Sequence, residues 1–178
     1  MGGFTGVVLA GGVSRRMGQD KALLTTGAGT MLDHMTKLLR LVGASKIIVL
    51  GRGADVLGRG AEAVSIPDKT PHEGPAVALL NYLDVQPNGS KHLILPVDMP
   101  ALTVELLTIL AHQSGWAYFE NHPLPCMAIA SLASGQFSRR IKDIHLNTDA
   151  TALCVPSSTH HCFANINTPR DYDDFRLA

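Results

Sequence analysis

The chain of 178 residues balances 15 Lys plus Arg against 15 Asp plus Glu, so it lacks the strong positive field on which non-specific nucleic-acid binding depends. Its length suits one compact domain, expected to span residues 1–178, and 46% hydrophobic content is enough to build a core. Cys126, Cys154 and Cys162 are an odd number without CxxC spacing, which suggests neither a disulfide framework nor a zinc site.

No apolar stretch nears the roughly 20 residues of a membrane helix, and no charged-then-apolar leader opens the chain. Gly6 stands where an N-myristoylation pattern wants Ser or Thr. The expectation is a soluble cytoplasmic protein in a reducing compartment, binding neither nucleic acid nor membrane.

Apolar runs rich in Val, Ile and Leu recur, each closed by turn residues and followed by a helix-like pattern. Residues Thr5 to Ala10 predict a buried strand, Thr30 to Val42 a helix, and Lys46 to Gly51 a second strand. Ala61 to Ile66 reads as a short third strand. After the loop "PDKTPHEGP", Ala76 to Leu83 predicts a helix, Lys91 to Asp98 a central strand, and Thr103 to Gln113 a helix capped by Thr103. Strands in "WAYFE" and "CMAIAS", a helix near "GQFSRRIKDIHL" and a last short strand near "HCFANI" complete the order. Such alternation predicts a three-layer α/β/α, Rossmann-like architecture with a mostly parallel central sheet. Ligands bind beyond the carboxyl ends of the strands in such sheets, so the loops after Ala10, Gly51, Ile66 and Asp98 carry the information.

The loop after the first strand reads Ala10-Gly11-Gly12-Val13-Ser14-Arg15-Arg16-Met17-Gly18, with Asp20-Lys21 just beyond. Glycine lets a ligand approach the main chain, so successive N–H groups can converge on phosphate oxygens. Arg16 and Lys21 would add permanent charge, one as a fork and one as a point. Neither GxxxxGK[ST] nor GxGxxG is present, so this is a different cradle from the two commoner ones.

The string LAGGxSRRMGxDK closely resembles the signature of the molybdenum cofactor guanylyltransferase family, which has a nucleotidyltransferase (GT-A-like) fold. Relatives that handle CTP typically read LAAG, so Gly11-Gly12 resemble the guanylyl branch. Three further segments follow in the family's order: "PDKTPHEGP", with Asp68 and Gly74-Pro75 resembling an Asp followed by a GPLAG-type turn; "LILPVDMPAL", with Asp98 at a strand end; and "NINTPRDY", resembling an NxNTPEE-type signature. A lone strand-end carboxylate suits Mg²⁺, which keeps waters and takes other ligands from phosphates. Asn165 and Asn167, one residue apart on an extended segment, face one side and can bind one polar ligand, while Thr168 and Pro169 also suit a helix entry.

The resemblance implies attack by the terminal phosphate of molybdopterin on the α-phosphorus of GTP, releasing pyrophosphate. It implies that Leu9, Ala10, Gly11 and Gly12 hold the nucleotide, that Arg16 and Lys21 meet its phosphates, and that Asp98 holds Mg²⁺. Asp68 would contact the nucleoside, and Gly74, Asn165 and Asn167 the molybdopterin side. Cofactor insertion or acceptor proteins are the implied partners. Two departures stand out: Ala78 replaces the final Gly of the GPLAG-type turn, and Leu50-Gly51-Arg52 lacks the Asn that related guanylyltransferases place near the nucleotide.

Other features read as structural. His160-His161 ends a loop, "SRRIKDIH" is a charged outer helix face, Cys126 and Cys154 are small buried residues, and Met127 fills the core. His122-Pro123 lies near a substrate-facing region of the family. The rival functions are a related nucleotidyltransferase using CTP or a phosphosugar acceptor, and a non-catalytic module that binds GTP or escorts cofactor.

Overall fold

The computed structural model describes residues 3–11, 17–27, 29–52, 63–68, 73–131 and 140–177. Their strands are β1 (Thr5–Leu9), β2 (Lys46–Leu50), β3 (Val64–Ile66), β4 (Lys91–Pro96), β5 (Ala117–Phe119), β6 (His122–Ile129) and β7 (Thr151–Leu153). The helices are α1 (Met31–Leu41), α2 (Pro75–Leu83), α3 (Val104–Ala111), α4 (Ile141–Asn147) and α5 (Pro169–Leu177).

The strands form one sheet in the order β3-β2-β1-β4-β6-β5-β7. Only β6 runs against the rest: it pairs antiparallel with β4 and β5, and the other pairings between these strands are parallel. Strands buried on both faces need apolar residues at consecutive positions, and β1 shows this. Val8 packs in one core cluster with Met35 and Leu39 of α1 and Leu106 and Leu107 of α3. Val7 and Leu9 pack in the other with Leu79 and Leu83 of α2 and Ile144 of α4. Two cores on opposite faces make the three layers.

Gly6 has a local reason. A Cβ there would sit 2.8 Å from Leu39 Cδ1, so glycine lets α1 lie close on β1. Helix starts follow cap chemistry: Thr30 and Asp33 form a reciprocal capping box on α1, and Thr103 Oγ1 accepts from Leu106 N on α3.

Two expectations are corrected. "HCFANI" is not a strand, because Ser157–Phe163 forms a 3₁₀ segment and the last strand is β7. Cys162, Phe163 and Ile166 are the buried residues there; their spacing of one and four suits a turning chain, not period-two alternation. Cys154 is exposed, while Cys126 and Cys162 are buried. It follows the edge strand β7, where Leu153 turns inward and the next side chain faces out.

His160 and His161 lie in that 3₁₀ segment rather than a plain loop. Arg140 and Lys142 are exposed at α4 whereas Ile141 and Ile144 are buried, as an outer helix requires. Among the described residues no helix is long and apolar enough to cross a membrane.

Candidate functional site

The carboxyl edge of β1 and β4 opens on a cleft of about 400 Å³, whose walls include Leu9, Ala10, Gly11, Lys21, Arg52, Asp98 and Asn165. Sheet hydrogen bonds continue past the strand ends and fix this edge. Val97 N donates to Leu9 O at 3.1 Å, Ala10 N to Leu50 O at 3.0 Å, and Gly51 N to Ile66 O at 2.9 Å.

Asp98 stands two residues beyond β4, and its backbone oxygen accepts from Ile166 N at 2.8 Å. That bond brings the C-terminal segment to the site. Lys21, on a 3₁₀ turn capped by Asp20, donates to Asp98 Oδ2 at 2.9 Å and to Asn167 Oδ1 at 2.7 Å. The partners are 77 and 146 residues away in sequence. Lys21 and Asp98 side chains keep 16% and 22% of their exposure, so the pair faces the cleft without being sealed from it.

The C-terminal signature braces this arrangement. Thr168 Oγ1 accepts from Asp171 N, while the Asp171 carboxylate accepts from Asn167 N and Thr168 N, each at 2.8 Å. The Asn167 amide, followed by Thr168, holds the Asp171 carboxyl below its usual range. Tyr172 Oη donates to Thr25 O at 2.7 Å, tying α5 to the segment that carries Lys21. The helix-entry reading and the cleft reading of "NINTPRDY" therefore coexist.

Gly11 and Gly51 meet backbone to backbone. A Cβ on Gly51, whose φ is +88°, would lie 2.4 Å from Gly11 Cα. The same juncture puts the Asp68 carboxylate beside Gly11, 3.3 Å from where a Gly11 Cβ would be. Asp68 itself lines a smaller neighbouring cavity of about 110 Å³ with Gly51, Asn81 and Gln86. Gly74 caps α2 at φ 96°, with Pro75 as the first helical residue reaching the main cleft. Gly12 and Arg16 lie outside the described residues.

The Ala78 departure is conformationally harmless. Ala78 sits in the first turns of α2, and the non-glycine residues with positive φ among those described are Asn121 and Asp149. A helical position favours Ala over Gly.

Sequence reasoning missed Arg52, which it treated only as part of a departure. Its Nε donates to Ala10 O at 2.8 Å and its Nη2 pairs with Asp20 Oδ1. The available signal was position: two residues past a strand's carboxyl end. Asn121 to Leu124 also line the cleft. Asn121, at φ 65°, turns the chain into β6, and the His122 ring stacks on Phe163 at 4.1 Å between centroids. Burial first, then His160, lowers the His122 pKa from its ordinary value.

No cluster of three or more His, Cys, Asp or Glu capable of holding a metal occurs among the described residues. Asp98 is the carboxylate that lines the cleft at the end of β4, part-exposed beside open volume. It fits a hard cation that draws its remaining ligands from phosphate and water.

A mostly parallel sheet whose carboxyl edge brings Gly11, Lys21 and the strand-end carboxylate of Asp98 to one cleft has the arrangement of a nucleotide-phosphate site, and the family match places the chain among the nucleotidyltransferases. The sequence pattern of the MobA-like NTP transferase domain matches residues 6–144, and the chain belongs to that family. A relative from Xanthomonas euvesicatoria pv. vesicatoria (strain 85-10), named molybdenum cofactor guanylyltransferase, is 32% identical over 181 residues, covering 95% of this chain and 92% of the relative. In fold, a nucleotidyl transferase from Methanothermobacter thermautotroptrophicus matches with TM-score 0.76 at 19% identity, covering 98% of this chain and 96% of that one. A Mycobacterium tuberculosis H37Rv protein solved as a complex with manganese matches with TM-score 0.69 at 18% identity, covering 99% and 100%.

Proposed function

We propose that this protein transfers GMP from GTP to molybdopterin, forming the guanine dinucleotide and releasing pyrophosphate. The observation that carries the reading is the meeting of Lys21, Asp98 and Asn167 beside Gly11 at one sheet edge. The name of the Xanthomonas relative, aligned over nearly the whole of both chains, supports the choice of substrates.

A terminal phosphate oxygen of molybdopterin attacks the α-phosphorus of GTP, and the bond from that phosphorus to the bridging oxygen of pyrophosphate breaks. Such a transfer needs positioning and charge stabilisation more than covalent help. The Leu9 to Gly12 backbone holds the nucleotide, Asp68 the nucleoside, and Arg16 and Lys21 the phosphates. Gly74, Asn165 and Asn167 serve the molybdopterin side.

In-line displacement needs attacking and leaving oxygens on opposite sides of phosphorus. Asp98 would hold Mg²⁺, which when bound neutralises charge developing on the phosphates. We read residues 1–178 as one such domain working in the cytoplasm, where its product passes to cofactor insertion or acceptor proteins.

The test is a panel of GTP, CTP, ATP and UTP with molybdopterin, with and without magnesium, following pyrophosphate and dinucleotide. Product with GTP alone, and only with magnesium, is expected. Turnover with CTP would change the substrate and keep the mechanism. GTP binding without turnover by fully folded protein would replace the enzyme reading with a cofactor escort.

A further inference from the structure

We propose that Arg52 is a further phosphate-binding residue of the cleft, a guanidinium fixed by Ala10 and Asp20 so that its remaining N–H groups face the nucleotide's phosphates. The inference rests on the nucleotidyl-transfer reading and deepens it. Arg52 lies two residues beyond β2, the strand next to β1, and lines the same cleft as Gly11, Lys21 and Asp98.

Two of its donors are already committed. Nε donates to Ala10 O at 2.8 Å, and Nη2 pairs with Asp20 Oδ1. These anchors sit at either end of the glycine loop: Ala10 enters it and Asp20 leaves it. One planar group therefore joins Ala10 to Asp20, on the two sides of the cleft wall that Gly11 and Lys21 share.

The guanidinium has five N–H donors in a rigid plane. Nη1 has no hydrogen-bond partner among the described residues, and the side chain keeps 22% of its exposure. A half-buried cation with unspent, pre-oriented donors is the arrangement that recognises phosphate oxygens in a forked manner. Lysine could not reproduce it, because one ammonium cannot hold both anchors and still present a planar edge.

Asp20 tempers the charge without cancelling the geometry. Its carboxylate also accepts from Ala22 N, so it is held by the turn that carries Lys21. Arg52 and Lys21 are thus positioned from a single short segment. They form two sides of one anion site whose third side is the Gly11 backbone.

The experiment measures binding of GTP and of inorganic triphosphate to wild type, Arg52→Ala and Arg52→Lys by calorimetry, with thermal melts of each. Arg52→Ala is expected to weaken both ligands by the same factor, about 10- to 100-fold, the range of a hydrogen bond to a charged group. Arg52→Lys, which keeps the charge and most of the packed stem, is expected to lose part of that affinity and keeps the test informative if Arg52→Ala does not fold.

Unchanged triphosphate affinity with a lower melting temperature would overturn the proposal and leave Arg52 as a loop strap. Loss of GTP affinity alone would move its contact to the nucleoside, and full affinity in Arg52→Lys would remove the fork; either overturns the assignment. Wild type that binds triphosphate but not GTP would instead defeat the guanylyl reading, while Arg52 would still be judged on triphosphate.

Discussion

The Lys21 ammonium lies 2.9 Å from the Asp98 carboxylate, so the group proposed to meet phosphate and the group proposed to hold metal pair with each other. Removing the lysine charge should free Asp98 for a cation. Lys21→Met is expected to bind Mn²⁺ in the absence of nucleotide about 3- to 5-fold more tightly, the worth of a partly exposed ion pair. GTP affinity should fall in the same variant. Electron paramagnetic resonance titration of Mn²⁺ checks the first effect, and weaker Mn²⁺ binding would contradict it.

Asp98→Asn separates charge from architecture. The bond from Ile166 N goes to the Asp98 backbone oxygen, which the substitution keeps. The fold should survive by circular dichroism, while pyrophosphate release falls by about 100-fold or more, comparable to losing one transition-state stabiliser. A folded variant with near-normal turnover would remove Asp98 from the mechanism.

Gly51→Ala tests the juncture of the two loops. The new Cβ meets Gly11 Cα at 2.4 Å in a backbone at φ +88°, so strain and overpacking should add to about 3 kcal/mol or more. Gly89→Ala is the control: φ is +78° but the space is open, and only the left-handed cost of about 1–2 kcal/mol remains. Urea unfolding gives both values. Equal losses would mean that the Gly11–Gly51 approach is not tight.

Acid stability should report His92. It is buried, hydrogen-bonded to Tyr82 Oη and Ser90 Oγ, and burial lowers its pKa to about 4. The unfolded chain then binds the proton first, so this contribution is full above pH of about 6.5 and is lost as pH falls toward 4. By pH 5 the loss is on the order of 2 kcal/mol. His92→Gln should be less stable at pH 7 yet lose less between pH 7 and pH 5. Parallel curves for the two proteins would assign the acid sensitivity elsewhere.

Much of the site was written locally. The apolar run of β1, the glycines after it, Asp98 at the end of β4 and the helix entry at Thr168 each depend on neighbours within a few residues. Period and cap chemistry report such features directly. "HCFANI" failed because short apolar runs do not distinguish a strand from a buried 3₁₀ turn, and the sheet edge had gone to β7.

The sequence by itself determined the alternation of strands and helices, the glycine turn and the kinds of charge beside it, because backbone sterics and side-chain period act over short range. Only the tertiary structure decided that Lys21 meets both Asp98 and Asn167, that Gly51 touches Gly11, and that Arg52 joins both ends of the glycine loop. Those meetings depend on strand order. β1 lies between β2 and β4 only because two separate cores bury its opposite faces, and no local pattern records which distant segments those cores bring together.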